Sequence, residues 1–241
     1  FEQYQWWISR LKTADELYHL YRLDHLVGFY RIWAFPLNRP PTEAHFIPRD
    51  PTAWISQGEK IMRMMLSNSN MLPIAEDLGV VPPEVRRNLL SLGICGTKVM
   101  RWERLWDFDK SFILPHNYPP ESMTTVSTHD SETLIQWWKN NPEEAMEYAR
   151  EKNWNYAPQI THEQHFDILR ESHRTASLFH INLLQEYLAL IPGMTWPNPN
   201  DERINIPGII SPRNWSYRFL PSVEEIVSNP KIKTLFKQIL S

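Results

Sequence analysis

Three times along the 241-residue chain, at intervals of about fifty residues, an apolar run ends in a carboxylate and gives way to a turn or a helix. The segments are Tyr21-Arg22-Leu23-Asp24-His25, Pro73-Ile74-Ala75-Glu76-Asp77-Leu78-Gly79 and Val126-Ser127-Thr128-His129-Asp130. They read as the ends of strands over His19–Leu26, Met71–Glu76 and Thr124–His129, and two further strands are predicted over Thr97–Trp102 and Ser177–Leu183. Helical spacing fills the intervals. Trp54, Ile55, Ile61, Met62, Met65 and Leu66 recur within Thr52–Asn68, and the Pro82-Pro83 pair opens a helix through Leu92. More helices are predicted after His129 through Trp138, over Glu143–Lys152 and Thr161–Thr175, and over Ser222–Leu240 around a break at Pro230. Such alternation predicts an α/β fold with a parallel sheet or barrel, because each crossover helix returns the chain to the same end of the sheet and the next strand then runs parallel. A (β/α)8 TIM-type barrel needs eight strands and roughly 250 residues or more. Five strands are predicted, so either further strands escape the pattern or the chain lacks the first ones.

Composition narrows the class. A hydrophobic content of 42% with 22% charged residues fits a globular domain large enough to bury a core. The net charge of −3 and the scattered Lys and Arg argue against a nucleic acid or an anionic membrane as partner. No apolar run approaches the roughly 20 residues of a bilayer-spanning helix. A single cysteine, Cys95, excludes an internal disulfide and fits a reducing, cytoplasmic compartment. Twenty prolines fall mostly between elements and mark ordered loops. Eleven tryptophans offer broad apolar faces on which sugar C–H groups pack, although most such rings serve as core or loop packing.

The carboxylates carry the chemistry. In parallel barrels the active site lies at the C-terminal strand ends, so Asp24, Glu76 and Asp130 would converge on one pocket. A single acid there commonly caps a helix; three in succession are harder to explain that way. Arg22 and Asp24 stand two apart on a strand and share a face. Their pairing reads equally well as a structural ion pair or as a guanidinium that favours the ionised carboxylate. Retaining glycoside cleavage needs one ionised nucleophile and one protonated acid. Ile74, Ala75 and Leu78 around Glu76 would keep a carboxyl protonated, with the neighbouring Asp77 working against that reading.

Taken in order, four segments resemble a known family. Arg22-Leu23-Asp24-His25-Leu26-Val27-Gly28-Phe29 resembles the nucleophile segment of the amylomaltases, bacterial 4-α-glucanotransferases related to α-amylases. Ile74-Ala75-Glu76-Asp77-Leu78-Gly79 is similar to their acid/base segment, and Ser127-Thr128-His129-Asp130 to the segment with the third acid. Glu202-Arg203-Ile204-Asn205-Ile206-Pro207-Gly208, followed by Asn214-Trp215, Tyr217 and Arg218, is similar to their C-terminal signature. The resemblance implies Asp24 as nucleophile and Glu76 as the acid that becomes a base. It implies Asp130 as the residue holding hydroxyls of the distorted sugar, and Arg22, His25, His129 and Asn205 as polar contacts in the substrate site. It implies a maltooligosaccharide or other α-glucan donor, a sugar acceptor, no cofactor and no catalytic metal. An α-amylase-like hydrolase and an inactive glucan-binding remnant are the alternatives. Val27, Ser131-Glu132 and Ile209 depart from the family pattern and bear on subsite contacts.

The resemblance also sets an expectation about extent. Asp24 stands close to Phe1, and the family's nucleophile lies on the fourth strand. Residues 1–241 are therefore expected to form a single catalytic-domain fragment holding strands four to eight plus C-terminal helices. Its partner would be the N-terminal part of the barrel, without which activity would be weak. Other signals are set aside. His162-Glu163-Gln164-His165 lacks metal-ligand spacing and reads as a solvated helix face. Gly93 to Lys98 lacks the spacing of a phosphate loop, Cys95 reads as a small buried hydrophobe, and Asn214-Trp215-Ser216 is a glycosylation sequon only in a secreted protein.

Overall fold

The computed structural model describes residues 4–241. The chain forms two compact units, one of residues 4–97 with 121–123, the other of residues 98–120 with 124–241.

The first unit opens with α1 (Gln5–Asp15), followed by β1 (Leu20–Leu23) and a 3-10 turn over Leu26–Phe29. A small antiparallel sheet of β2 (Ile32–Ala34) and β3 (His45–Ile47) comes next, then α2 (Thr52–Ser67), β4 (Leu72–Ala75), α3 (Pro83–Ser91) and β5 (Cys95–Val99). β1 and β4 are parallel, with Arg22 opposite Ile74 and Leu23 opposite Ala75. β4 and β5 are also parallel, Ile74 facing Cys95 and Ala75 facing Gly96. The start of β6 (Ser122–Thr125) adds to this edge, since Gly96 N–H donates to the Glu121 carbonyl at 3.2 Å. Three of the four β4 residues are buried, as expected for a strand covered on both faces.

In α2 the buried positions Trp54, Gly58, Met62 and Met65 recur every three or four residues and turn one stripe to the core. Gly58 is there for a packing reason. A Cβ at this position would lie 2.2 Å from the Tyr30 ring, which is itself completely buried. The Tyr30 hydroxyl donates to Asn88 Oδ1 at 2.8 Å, and the Asn88 amide donates to Glu59 at 2.9 Å, so the ring fixes α2 against α3. Leu23, Leu26, Met65, Val85 and Leu89 complete this core.

In the second unit the remainder of β6 neighbours β7 (Phe179–His180) in the sheet. Around them lie α4 (Leu134–Asn140), α5 (Pro142–Glu151), α6 (His162–Ser172), α7 (Leu184–Leu188), α8 (Val223–Ser228) and α9 (Pro230–Leu240). Thr161 with Gln164 and Ser222 with Glu225 form capping boxes that satisfy otherwise unpaired N–H groups at the starts of α6 and α8. The core gathers Trp137, Trp138, Tyr148, Leu169, Leu188 and Ile239.

All five predicted strands are present, but each is shorter or shifted. The run over Thr97–Trp102 is strand only to Val99, because Met100–Trp102 winds into a 3-10 turn. β1 stops at Leu23 and β6 at Thr125, so the carboxylates stand on the turns just beyond the strands. Among the described α-helices and strands, α1, β2, β3 and α7 carry no matching expectation. β2 and β3 have three residues each amid prolines, and α7 buries Gln185 and Glu186, which breaks the apolar period. The solvated reading of the His162–His165 segment holds for the exposed His162 and Glu163 but not for its last residue. His165 is 2% exposed and lies 3.6 Å from the buried Glu186.

Candidate active site

In the first unit, the register of β1 and β4 delivers Asp24 and Glu76 one step beyond the paired residues Leu23 and Ala75. Arg22 Nη1 pairs with Asp24 Oδ1, as their shared strand face requires. Asp24 is the more open of the two, with 71% of its side chain exposed. His25 follows with φ 44° and ψ 52°, a left-handed conformation that few non-glycine residues adopt. This turn aims the His25 main-chain N–H at Glu76 Oε2, 2.8 Å away. Gly28 keeps the turn tight, since a Cβ there would stand 3.2 Å from the His25 ring.

Glu76 is fixed at both carboxylate oxygens. Oε2 accepts from His25 N–H, and Oε1 accepts from Leu78 N–H at 3.2 Å. Its main chain completes the bridge, donating to the Leu23 carbonyl at 2.9 Å and accepting from Leu26 N–H at 3.2 Å. Burial pushes the Glu76 carboxyl above its ordinary range. The two amides and Arg22 oppose that shift, and the negative charge of Asp24 adds to it. An acid held toward the protonated form thus stands beside a carboxylate paired with arginine, which is the division of labour that retaining glycoside transfer requires.

Asp77 does not share this site. It is 5% exposed, accepts from Thr97 N–H at 2.8 Å and meets Arg86 Nε at 3.3 Å. Gly96 makes room for it, because a Cβ there would lie 2.9 Å from Asp77 Oδ1. The second acid of the Glu-Asp pair therefore ties β4 to β5.

In the second unit, Asp130 sits on a turn after β6 that is closed by its own side chains. Thr128 Oγ1 accepts from Asp130 N–H at 3.3 Å, and Ser131 Oγ accepts from Thr128 N–H at 2.9 Å. Asp130 Oδ1 accepts from Asn205 Nδ2 at 2.7 Å and lies 3.4 Å from His129 Nε2. Asn205 N–H donates to the His129 carbonyl at 3.1 Å, and the His129 ring lies 5.3 Å from that of Trp215. Asp130 and Arg203 line a cleft of about 460 Å³ together with Arg101, Trp102 and Gln136. Burial lowers the Arg101 guanidinium to about 10, and its Nη2 donates to the Glu132 carbonyl at 3.0 Å.

The C-terminal signature now has a physical account. Glu202, 5% exposed, accepts from Trp196 N–H at 2.7 Å, Gln185 Nε2 at 2.9 Å and the Tyr217 hydroxyl at 2.7 Å. Arg203 donates from Nη2 to the Asp130 carbonyl at 2.9 Å and from Nε to the Asn205 carbonyl at 2.8 Å. The Ile204 carbonyl accepts from Trp215 N–H at 2.9 Å, and Asn214 Nδ2 braces the loop through the Ile206 and Ile209 carbonyls at 3.2 and 2.8 Å.

Of the residues singled out from sequence, Arg22, Asp24, His25 and Glu76 come together in the first unit, and His129, Asp130 and Asn205 in the second. The contacts of Arg203 and Trp215 with this second group went unassigned, although both stand in the quoted signature. The amide donors of His25 and Leu78 leave no side-chain trace by which sequence could reveal them. Among the departures, Ser131 closes the Asp130 turn, and Glu132 accepts from Asn140 and Asn141 at 2.9 and 2.7 Å.

Residues 1–223 match the family described as 4-alpha-glucanotransferase. The chain is 46% identical over 240 residues to a 4-alpha-glucanotransferase of Chlamydia pneumoniae, covering 100% of this chain and 45% of that protein. It is 30% identical over 226 residues to one from Thermus thermophilus, covering 91% of this chain and 42% of that protein. In structure it matches an amylomaltase from Streptococcus agalactiae, solved in complex with acarbose, with a TM-score of 0.73 at 23% identity, covering 100% of this chain and 44% of that one. The fold is accordingly part of an amylomaltase α/β barrel, and the chain spans a little under half the length of the curated relatives it matches.

Proposed function

The chain belongs to the 4-alpha-glucanotransferase family, and from that premise we propose that it carries the catalytic carboxylates of a 4-α-glucanotransferase. The reaction is retaining double displacement between maltooligosaccharides. Asp24 attacks the anomeric carbon while Glu76 protonates the leaving glycosidic oxygen. Glu76 then takes the proton of an incoming sugar hydroxyl as that oxygen displaces Asp24. Asp130 binds hydroxyls of the distorted sugar, and Arg22, His25, His129 and Asn205 supply polar contacts. Residues 1–241 act as one catalytic-domain piece, and the remaining barrel segment that the longer relatives carry is its partner.

The observation that carries this reading is the pairing at the ends of β1 and β4. A carboxyl raised by burial and held by two amides stands next to a carboxylate bound to arginine. The reading places the protein in the cytoplasm, in keeping with the buried free thiol of Cys95. No helix among the described residues is long and apolar enough to cross a membrane.

The test is incubation with maltotriose and chromatography of the products, with Asp24→Asn as control. Glucose together with longer maltooligosaccharides, lost in the variant, supports transfer. Reducing ends without longer products would make the chain a hydrolase. No product, even after the remaining barrel segment of a relative is supplied, would reject the assignment.

A further inference from the structure

Arg203 takes no part in the carboxylate chemistry described so far, yet it touches both the third acid, Asp130, and the residue that holds it, Asn205. Its guanidinium donates to two main-chain carbonyls, that of Asp130 through Nη2 at 2.9 Å and that of Asn205 through Nε at 2.8 Å. The two carbonyls lie far apart in sequence, one on the turn after β6 and the other in the C-terminal loop. Once they are joined, Asn205 Nδ2 falls 2.7 Å from Asp130 Oδ1, and Asn205 N–H meets the His129 carbonyl at 3.1 Å. One oxygen of the Asp130 carboxylate is thereby committed to the protein. The other, Oδ2, has no hydrogen-bond partner among the described residues.

We propose that Arg203 is a positioning residue for Asp130: it clamps the strand-end turn to the C-terminal loop, so that Asn205 holds one carboxylate oxygen and leaves the other directed to substrate. This role rests on the glucanotransferase reading for its functional meaning, but the clamp itself is a property of the fold. Arginine suits it for a geometric reason. Two N–H groups of one rigid planar fork reach two carbonyls at once, whereas the N–H groups of a lysine ammonium all leave one nitrogen on a flexible stem and span no such fork. The charge also serves without an ion pair, since both acceptors are neutral carbonyls. Glu202 anchors the same loop from its buried side through Trp196, Gln185 and Tyr217, which leaves Arg203 free to act on the other side.

The experiment compares Arg203→Ala, Arg203→Lys, Asn205→Ala and the Arg203→Ala/Asn205→Ala double variant in the whole chain. Maltotriose disproportionation is measured with the remaining barrel segment supplied, and so are the melting temperature and the NMR signal of the Asn205 side-chain amide, assigned by its loss in Asn205→Ala. We expect kcat to fall about tenfold to a hundredfold in Arg203→Ala with KM changed far less, as small misplacements of a transition-state contact do. The double variant should be no slower than the slower single variant, because both changes break one unit. The Asn205 amide signal should lose its hydrogen-bonded shift in Arg203→Ala, and 20–50 mM guanidinium (a concentration of roughly this order is far below denaturing strength) should partly restore rate and shift. Arg203→Lys keeps the fold testable if Arg203→Ala proves too unstable, and it should share the kcat loss. Additive losses in the double variant, or an unchanged Asn205 signal in folded Arg203 variants, would overturn the proposal. If wild-type protein shows no transfer, the functional reading fails, while the amide signal still decides whether the clamp exists.

Discussion

The main-chain N–H of His25 reaches across from the end of β1 to Glu76 Oε2 at the end of β4, 2.8 Å away. This contact, beside the main-chain bonds of Glu76 to Leu23 and Leu26, ties the acid to the turn that also carries Asp24. The two carboxylates are therefore positioned by one shared turn.

Separate losses are expected for the two chemical roles. Asp24→Asn should lower kcat for maltotriose by at least about a thousandfold, because no covalent glucosyl-enzyme forms. Glu76→Gln should lose about a hundredfold to ten-thousandfold, the usual worth of general acid catalysis. With an α-glucosyl fluoride donor, whose leaving group needs no proton, Glu76→Gln should recover glucosyl-enzyme formation and Asp24→Asn should not. Stopped-flow burst measurements check this, and recovery in Asp24→Asn would reverse the assignment.

The titration of Glu76 should respond in opposite directions to its two charged neighbours. The Asp24 charge raises the Glu76 carboxyl and the Arg22 charge lowers it. Asp24→Asn should therefore move the midpoint down, and Arg22→Ala should move it up, as followed by the Glu76 carboxyl carbon in NMR. Shifts of the same sign in both variants would show that the electrostatic account of this pair is wrong.

The same shift has a stability consequence. A carboxyl whose folded midpoint is raised contributes stability below the unfolded midpoint and loses it as pH rises through the folded one. Glu76→Gln removes this loss. Its melting temperature relative to wild type should climb as pH rises from the ordinary carboxylate range through the raised Glu76 midpoint. Thermal melts across that range test it, and a flat difference would count against a raised Glu76.

Gly58 sets a packing test in the core behind the β1 turn. Helix propensity favours alanine over glycine by about 1 kcal/mol. At this site the added methyl would sit 2.2 Å from the buried Tyr30 ring, so Gly58→Ala should instead destabilise by about 1–3 kcal/mol. Trimming the ring with Tyr30→Leu should cancel most of that cost, as expected for residues in direct contact. Urea unfolding of the two single variants and the double variant measures the coupling. A stabilised Gly58→Ala would mean that the helix shifts to absorb the methyl.

Asp77 separates structure from catalysis. Asp77→Ala should cost about 2 kcal/mol, since it strands the Thr97 amide and loosens Arg86. Once the protein is folded, kcat should change by less than severalfold. A catalytic loss as large as that of Glu76→Gln would put Asp77 inside the active site.

The alternation of apolar runs and helical spacing was readable without coordinates because burial on a sheet imposes it. β4 shows this plainly, with Pro73, Ile74 and Ala75 all buried. The positions of Arg22, Asp24 and Glu76 at strand ends followed from the same pattern. What could not be read depends on contacts between distant segments. The sequence Glu76-Asp77 offers two acids, and only the glycine at position 96 and the amide of Thr97 reveal which one is drawn into the sheet. His165 looked solvent-facing because its neighbours are polar, and its burial follows from Glu186 on α7, a five-residue helix with too little period to detect. Arg203 was visible as part of a signature, but its role rests on two carbonyls, which every residue possesses.

The amide of His25 gives its position an unusual genetics. No substitution short of proline removes a main-chain N–H, so an alanine scan would pass over one of the groups that hold the acid. What the position can refuse is shape. At φ 44° a β-branched side chain is poorly tolerated, whereas asparagine or glycine fits. Substitutions at position 25 should therefore sort first by backbone compatibility and only then by the chemistry of the imidazole. Replacing the amide with an ester by chemical synthesis would expose a contribution that codon changes leave hidden.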